Sequence, residues 1–75
     1  MELEELKEII VDKLDVDEEL ITEQTRFTED LGADSLDLYE IVIEVEDLLQ
    51  IKLPDDVLKE IKTVEDALEA INDAV

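Results

Sequence analysis

The 75-residue sequence contains no cysteine, no histidine and no tryptophan, and it has a single glycine and a single proline. Without cysteine the chain can form no disulfide and no thiolate metal site, so the burial of apolar side chains must stabilise the fold. Without histidine or cysteine it also has no obvious base that could activate a hydroxyl nucleophile near pH 7. We therefore predict that the protein is not an enzyme and has no catalytic residues.

Long apolar runs and basic residues are scarce as well. No run approaches the roughly 20 apolar residues that span a bilayer, and the acidic N-terminus is unlike a signal or transit peptide. With 25 acidic and 6 basic residues, the formal net charge is −19. Such a chain repels nucleic acid and anionic membranes and attracts basic protein surfaces. We expect a cytoplasmic monomer with no nucleic-acid partner and no membrane insertion.

The apolar residues make up 45% of the sequence and recur mostly at helical spacing. Their pattern predicts a single domain over residues 1–75, with helices at about 2–14, 35–49, 55–61 and 64–73. Thr63 and Asp66 form the pattern of a capping box at the start of the last helix. The predicted fold is all-α, a small four-helix bundle with three longer helices, one short helix and a long first loop.

The long loop between the first two predicted helices contains isolated apolar residues, which indicate that it packs against the bundle. Gly32 is expected to supply a left-handed turn near its end. The expected anchors of the loop are Val16, Leu20, Ile21, Phe27 and Leu31.

The second predicted helix has two apolar faces. At about 100° per residue, one wide stripe lies within roughly 60° of a common direction and should face the core. It consists of Leu38, Ile41, Val42, Val45, Leu48 and Leu49. Leu36, Tyr39 and Ile43 lie on the opposite side, with Glu40 and Asp47 among them.

Three exposed apolar side chains can be ordinary surface scatter or contacts to the loop, but the charge pattern favours a docking strip for a partner. No basic residue lies between Arg26 and Lys52, so this helix lacks the Glu–Lys pairs that commonly support exposed helices. The segment carries eight acidic residues, which are Glu29, Asp30, Asp34, Asp37, Glu40, Glu44, Glu46 and Asp47.

The acidic segment from Asp15 to Glu19 is the best candidate for a metal site, and it does not fit a calcium loop. Leu20 stands where such a loop needs glycine, and Arg26 stands where the bidentate glutamate should be. We predict no specific metal site and only weak, diffuse binding of divalent cations.

Ser35 is the candidate for chemistry. Its position before the second helix predicts an N-cap, and substitution by alanine should then cost about 1 kcal/mol. A hydroxyl modified by another enzyme needs no base in its own chain, and a phosphodiester there would lie at a helix N-terminus, which favours anions.

The segment Leu31-Gly32-Ala33-Asp34-Ser35-Leu36-Asp37 closely resembles the 4′-phosphopantetheine attachment motif of acyl carrier proteins of type II fatty acid synthesis. The resemblance extends over essentially the whole chain and includes Ile51–Asp55 and Lys62–Val64. It implies that Ser35 carries the arm, whose thiol bears growing fatty acyl chains as thioesters.

The same resemblance implies the partners and the surface that meets them. Holo-acyl-carrier-protein synthase and the enzymes of fatty acid synthesis would dock through basic patches. The positions that match the docking residues of the family are Asp34, Leu36, Asp37, Tyr39, Glu40, Ile43, Glu46 and Asp47. Tyr39 departs from the small aliphatic residue that is more common there.

Two alternatives remain open at this stage. The cargo could be a polyketide, aminoacyl or D-alanyl group, since the motif is shared among carriers. The chain could also be an acidic interaction protein without a prosthetic group.

Overall fold

A computed structural model describes all 75 residues. It contains four α-helices, α1 (Leu3–Leu14), α2 (Ser35–Leu49), α3 (Asp55–Glu60) and α4 (Val64–Ala74), and a 3₁₀ turn at Glu18–Leu20. It has no strand, only one isolated antiparallel bridge between Arg26 and Thr63. The all-α fold with three longer helices and one short helix is confirmed. Three helix ends differ from the prediction by one residue: Glu2 and Ile61 are caps of α1 and α3, and α4 extends to Ala74.

One apolar cluster joins the four helices and the long loop. Apart from Phe27 and two alanines, it is built from leucine, isoleucine and valine. Its buried members are Leu6, Ile9, Ile10, Ile21, Phe27, Ala33, Ile41, Val42, Val45, Leu53, Ile61, Val64, Ala67 and Ile71. Burial of these aliphatic side chains is the main favourable contribution to folding, as the absence of disulfides requires.

The predicted core face of α2 is correct at its centre and wrong at one edge. Ile41, Val42 and Val45 are buried, and Leu38 and Leu49 are half-buried. Leu48 is 60% exposed, contrary to prediction. It lies at the margin of the stripe, about 60° from its centre, and side chains that far round a helix are easily left uncovered.

The long loop is anchored as expected, except at one residue. Ile21 and Phe27 are buried and Val16 and Leu31 are half-buried against the core, whereas Leu20 is 64% exposed and is no anchor. Leu20 ends the 3₁₀ turn and Ile21 is extended. Ile21, where the backbone leaves the turn, faces the core, whereas Leu20 faces solvent.

Backbone hydrogen bonds attach the loop to the segment before α4. The Phe27 amide donates to the Lys62 carbonyl at 3.0 Å, and the Val64 amide donates to the Thr25 carbonyl at 2.9 Å. The buried Thr25 hydroxyl donates to the Leu20 carbonyl at 3.1 Å. The loop is therefore an integral part of the fold.

Gly32 has a φ of +69°, which confirms the expected left-handed turn. Apart from Gly32 itself and its two chain neighbours, no residue has an atom within 4 Å of the position that a Cβ would occupy there. The dihedral angle, and not lack of space, therefore favours glycine. Asp15 and Gln50 also adopt left-handed conformations, as caps at the ends of α1 and α2.

Arg26 organises the turn that precedes Gly32. Its guanidinium donates to Asp30 Oδ1 at 3.1 Å and to Glu29 Oε2 at 2.6 Å, and its amide donates to Asp30 Oδ2 at 2.8 Å. The side-chain hydrogen bond between Arg26 and Asp30 lowers the pKa of Asp30 and raises the pKa of Arg26. Exposed ion pairs of this kind add little stability. They do, however, engage the guanidinium of Arg26, which is the last basic group before α2.

Asp34, not Ser35, is the N-cap of α2, so the sequence prediction was wrong at this residue. Asp34 has the extended backbone of an N-cap and its Oδ1 accepts the Asp37 amide at 2.8 Å. Asp37 Oδ2 in turn accepts the Asp34 amide at 3.3 Å. This reciprocal capping box places Ser35 at the first helical position.

The predicted capping box of α4 is confirmed. Thr63 Oγ1 accepts the Asp66 amide at 3.1 Å, and Asp66 Oδ2 accepts the amides of Thr63 and Lys62, each at 3.1 Å. These backbone hydrogen bonds, that from Thr63 first, lower the pKa of Asp66. The ionised carboxylate therefore stabilises the start of α4.

Substitutions can distinguish Asp34 from Ser35 as the N-cap of α2. Asp34→Ala should lower the free energy of unfolding by about 1 kcal/mol, because it removes the side-chain acceptor at the N-cap. Ser35→Ala should change it by clearly less, because the Ser35 hydroxyl caps nothing. Urea unfolding followed by circular dichroism measures both, and a larger loss in Ser35→Ala would contradict the capping assignment.

The cap of α4 should respond to pH. The pKa of Asp66 is lower in the folded protein than in the unfolded chain. Its contribution to stability is therefore fully present above the unfolded-state pKa of about 3.9. That contribution is lost as the pH falls through the folded-state pKa. Asp66→Asn should therefore destabilise the protein more at pH 7 than near pH 2. Glu69→Gln removes an exposed charge from the same helix and is the control. Equal effects of both substitutions at both pH values would contradict this prediction.

Candidate functional site

The side chain of Ser35 is exposed at the first position of α2. Its hydroxyl makes no hydrogen bond within the chain, because Asp34 and Asp37 satisfy the cap. The amides of Ser35 and Leu36 have no intrahelical acceptor, as is usual in the first turn of a helix. The hydroxyl is thus free to be modified, and the helix end favours an anion bonded to it.

A groove of about 350 Å³ lies beside Ser35, between α2 and the segment from α3 to Ile61. The apolar part of its walls is formed by Leu38, Val42, Leu58 and Ile61 together with Tyr39. Thr28, Asp34, Ser35 and Lys59 provide its polar groups. The hydroxyl therefore stands next to a surface on which a flexible substituent with polar and apolar parts can lie.

The second apolar face of α2 is exposed. Leu36, Tyr39 and Ile43, called here the α2 strip, are 64%, 48% and 41% exposed. They do not contact the long loop closely enough to be buried by it. The geometric part of the prediction, an apolar strip turned away from the core, is thus confirmed, whereas its use by a partner is a question of function.

The acidic residues around the α2 strip differ in what they do within the fold. Glu40 and Asp47 are exposed, and their carboxylates make no hydrogen bond or ion pair. Asp34 and Asp37 are engaged in the capping box. Glu46 is half-buried, and its Oε2 accepts the Leu53 amide at 2.6 Å.

The hydrogen bond between Glu46 and Leu53 was not predicted from the sequence. Leu53 is a buried residue of the link between α2 and α3, so its amide needs an acceptor. A polar residue near the end of one helix followed by a short link is the only signal that could have suggested it. Of the predicted docking carboxylates, Glu40 and Asp47 are the two that remain fully available to a partner.

Neither a metal site nor a membrane-crossing helix is part of this structure. No group of three or more acidic side chains is arranged to hold a metal ion. None of the four α-helices has both the length and the apolar character that crossing a bilayer requires.

Comparison with known proteins agrees with this geometry. Residues 4–71 match the family described as phosphopantetheine attachment site. Among solved structures, a provisionally assigned acyl carrier protein from Mycobacterium tuberculosis is 31% identical, with a TM-score of 0.87 and 93% of each chain covered.

Two further solved structures are similar over most of their length. An acyl carrier protein from Thermotoga maritima is 28% identical, with a TM-score of 0.84, over 96% of this chain and 84% of the other. One from Enterococcus faecalis, described as highly thermostable, is 30% identical, with a TM-score of 0.80, over 97% and 92%. The chain therefore belongs to the acyl carrier protein family, which carries a phosphopantetheine attachment site and acts as a carrier, not as an enzyme.

Proposed function

We propose that the protein carries growing fatty acyl chains as thioesters on a 4′-phosphopantetheine arm attached to Ser35 and delivers them to the enzymes of fatty acid synthesis. The observation that supports this most is the exposed Ser35 hydroxyl, free of internal hydrogen bonds at the start of α2. Ser35 is the only serine in the sequence. The arm supplies a thiol that forms thioesters with acyl groups.

Attachment requires a transferase, because the chain has no histidine or cysteine that could activate the Ser35 hydroxyl near pH 7. Ser35 Oγ would attack the phosphorus of coenzyme A that bears the pantetheine, and the new phosphodiester would release adenosine 3′,5′-bisphosphate. The hydroxyl proton would pass to a base of the transferase. The free amides of Ser35 and Leu36 would stabilise the phosphodiester, whereas Asp34 and Asp37, which flank Ser35, would oppose it.

Partner enzymes would meet the α2 strip and its surrounding carboxylates. Small apolar contacts inside a ring of charge suit transient binding, because charge complementarity raises the association rate more than it raises the affinity. Holo-acyl-carrier-protein synthase and the enzymes of fatty acid synthesis would present basic patches to Glu40 and Asp47. Asp34, Leu36, Asp37 and Glu46 border the same surface and complete the proposed docking set.

The remaining features of the proposal follow from charge. A net charge of −19 on each copy opposes self-association, which supports a monomer that meets its enzymes by diffusion in the cytoplasm. Divalent cations would bind weakly and diffusely to the surface carboxylates.

Polyketide, aminoacyl or D-alanyl cargo would use the same arm, and the acyl species on protein purified from its host identifies the cargo.

Ser35→Ala should abolish attachment of the arm. The wild-type protein, incubated with coenzyme A and a broad-specificity carrier-protein transferase, should gain the mass of the arm, whereas Ser35→Ala should gain none. Thr28→Ala removes another hydroxyl beside the same groove and should still be modified. Intact-mass spectrometry measures all three, and a mass gain in Ser35→Ala would overturn the assignment of the attachment residue.

Glu40→Lys should slow association with holo-acyl-carrier-protein synthase several-fold and weaken its dependence on salt, with little change in dissociation. Stopped-flow binding at several salt concentrations measures these rates. Glu8→Lys makes the same charge change at an exposed position of α1 and is the matched control. If both variants slow association equally, net charge and not the α2 surface controls docking.

A further inference from the structure

Lys59, near the end of α3, is an exposed basic residue without an acidic partner. Lys7, Lys13 and Arg26 each have a carboxylate oxygen within 4.0 Å, but Lys59 has none. Asp56 and Asp55 lie three and four residues before it on the same helix, where ion pairs commonly form. Lys52 and Lys62 lack an ion pair as well, so Lys59 is distinguished by the groove that it lines.

Lys59 lines the groove beside Ser35 and is the only basic residue that does so. The larger groove of about 380 Å³ between α3 and α4 makes a useful comparison. It is bordered by four carboxylates, those of Glu60, Asp66, Glu69 and Asp73, and by no basic residue. The groove next to the proposed attachment residue therefore has a positive charge that the groove between α3 and α4 lacks.

We propose that Lys59 is a positioning residue that pairs with the phosphodiester on Ser35. The inference rests on the proposed function, because the anion is the one that attachment to Ser35 creates. Its phosphorus is bonded directly to Ser35 Oγ, so the negative charge must lie at the edge of the groove that Lys59 also borders. A lysine ammonium is a compact point charge on a flexible stem and can follow a phosphate without a fixed geometry.

The ion pair has two physical consequences. It offsets the repulsion between the phosphodiester and the carboxylates of Asp34 and Asp37, which flank Ser35. It also directs the first bonds of the arm toward α3 and the groove, which Tyr39 of the α2 strip borders but Leu36 and Ile43 do not. Leu36 and Ile43 would then stay uncovered while the arm is at rest.

The ³¹P resonance of the phosphodiester tests this inference on the intact, modified protein. The variants are Lys59→Gln, Lys59→Arg, which keeps the charge, and Lys52→Gln. Lys52 is also exposed and unpaired, but it lines a different groove, with Ile43 and Glu46. Intact mass first confirms attachment in each variant, and circular dichroism confirms folding.

Lys59→Gln should shift the ³¹P resonance toward its position in the urea-unfolded protein, whereas Lys59→Arg and Lys52→Gln should leave it near the wild-type position. Raising the salt concentration from about 0.01 M to about 1 M shortens the Debye length from about 30 Å to about 3 Å. This should move the wild-type resonance toward that of Lys59→Gln and move the latter much less.

The possible failures are distinguishable. If the wild-type protein gains no mass at Ser35, the proposed function fails before Lys59 is tested. If attachment occurs but Lys59→Gln and Lys52→Gln shift the resonance equally, the inference about Lys59 is overturned and the proposed function stands. A resonance that shifts in Lys59→Arg as much as in Lys59→Gln also overturns it, because charge would then not be the cause.

Discussion

The structure depends on a balance between one aliphatic core and a surface that repels itself. Fourteen apolar residues form the core, and no disulfide or metal site supplements it. The net charge of −19 opposes the compact state, so the few basic groups matter for where they are. Arg26 organises the turn before α2, and Lys13 reaches Glu44 of α2 at 3.8 Å. These basic groups thus pair with carboxylates of the turn and of one flank of α2, and the outer face of α2 remains negative.

At the start of α2, Asp34 caps the helix, and the adjacent Ser35 has the hydroxyl proposed for attachment. Asp34 and Asp37 cap the helix reciprocally, which leaves the Ser35 hydroxyl without an internal role. If the hydroxyl oxygen of the modified residue capped the helix, esterification would make it a poorer acceptor and weaken the cap. Here the proposed attachment residue and the capping residue differ, so attachment of a group to Ser35 would not remove the cap of the helix.

Much of the fold could be predicted because helical periodicity depends on local spacing. The buried faces of α1, α2 and α4 and the turn at Gly32 follow from such spacing. The exposure of Leu48 and Leu20 could not be predicted, because it depends on which neighbouring element covers the edge of a stripe or the end of a turn. The capping role of Asp34 was missed because aspartate and serine both suit an N-cap, and only the backbone shows which one occupies it.

The site was predicted less completely than the fold. The motif around Ser35 and the exposed α2 strip were apparent from the sequence alone. The engagement of Glu46 with Leu53 and the position of Lys59 beside the groove depend on how α2 and α3 meet in space. Contacts of that kind join residues with no periodic relation, so no local pattern could reveal them.

The hydrogen bonds of the long loop link Ser35 to a distant part of the chain. Lys62 accepts from Phe27, whose own carbonyl accepts the Ala33 amide at 2.9 Å, two residues before Ser35. Closing the loop between residues 27 and 62 carries an entropic cost that only the assembled core offsets. An incompletely folded chain therefore lacks the organised turn that presents the serine. Addition of the prosthetic group would in this way depend on complete folding, and incompletely folded chains would remain unmodified.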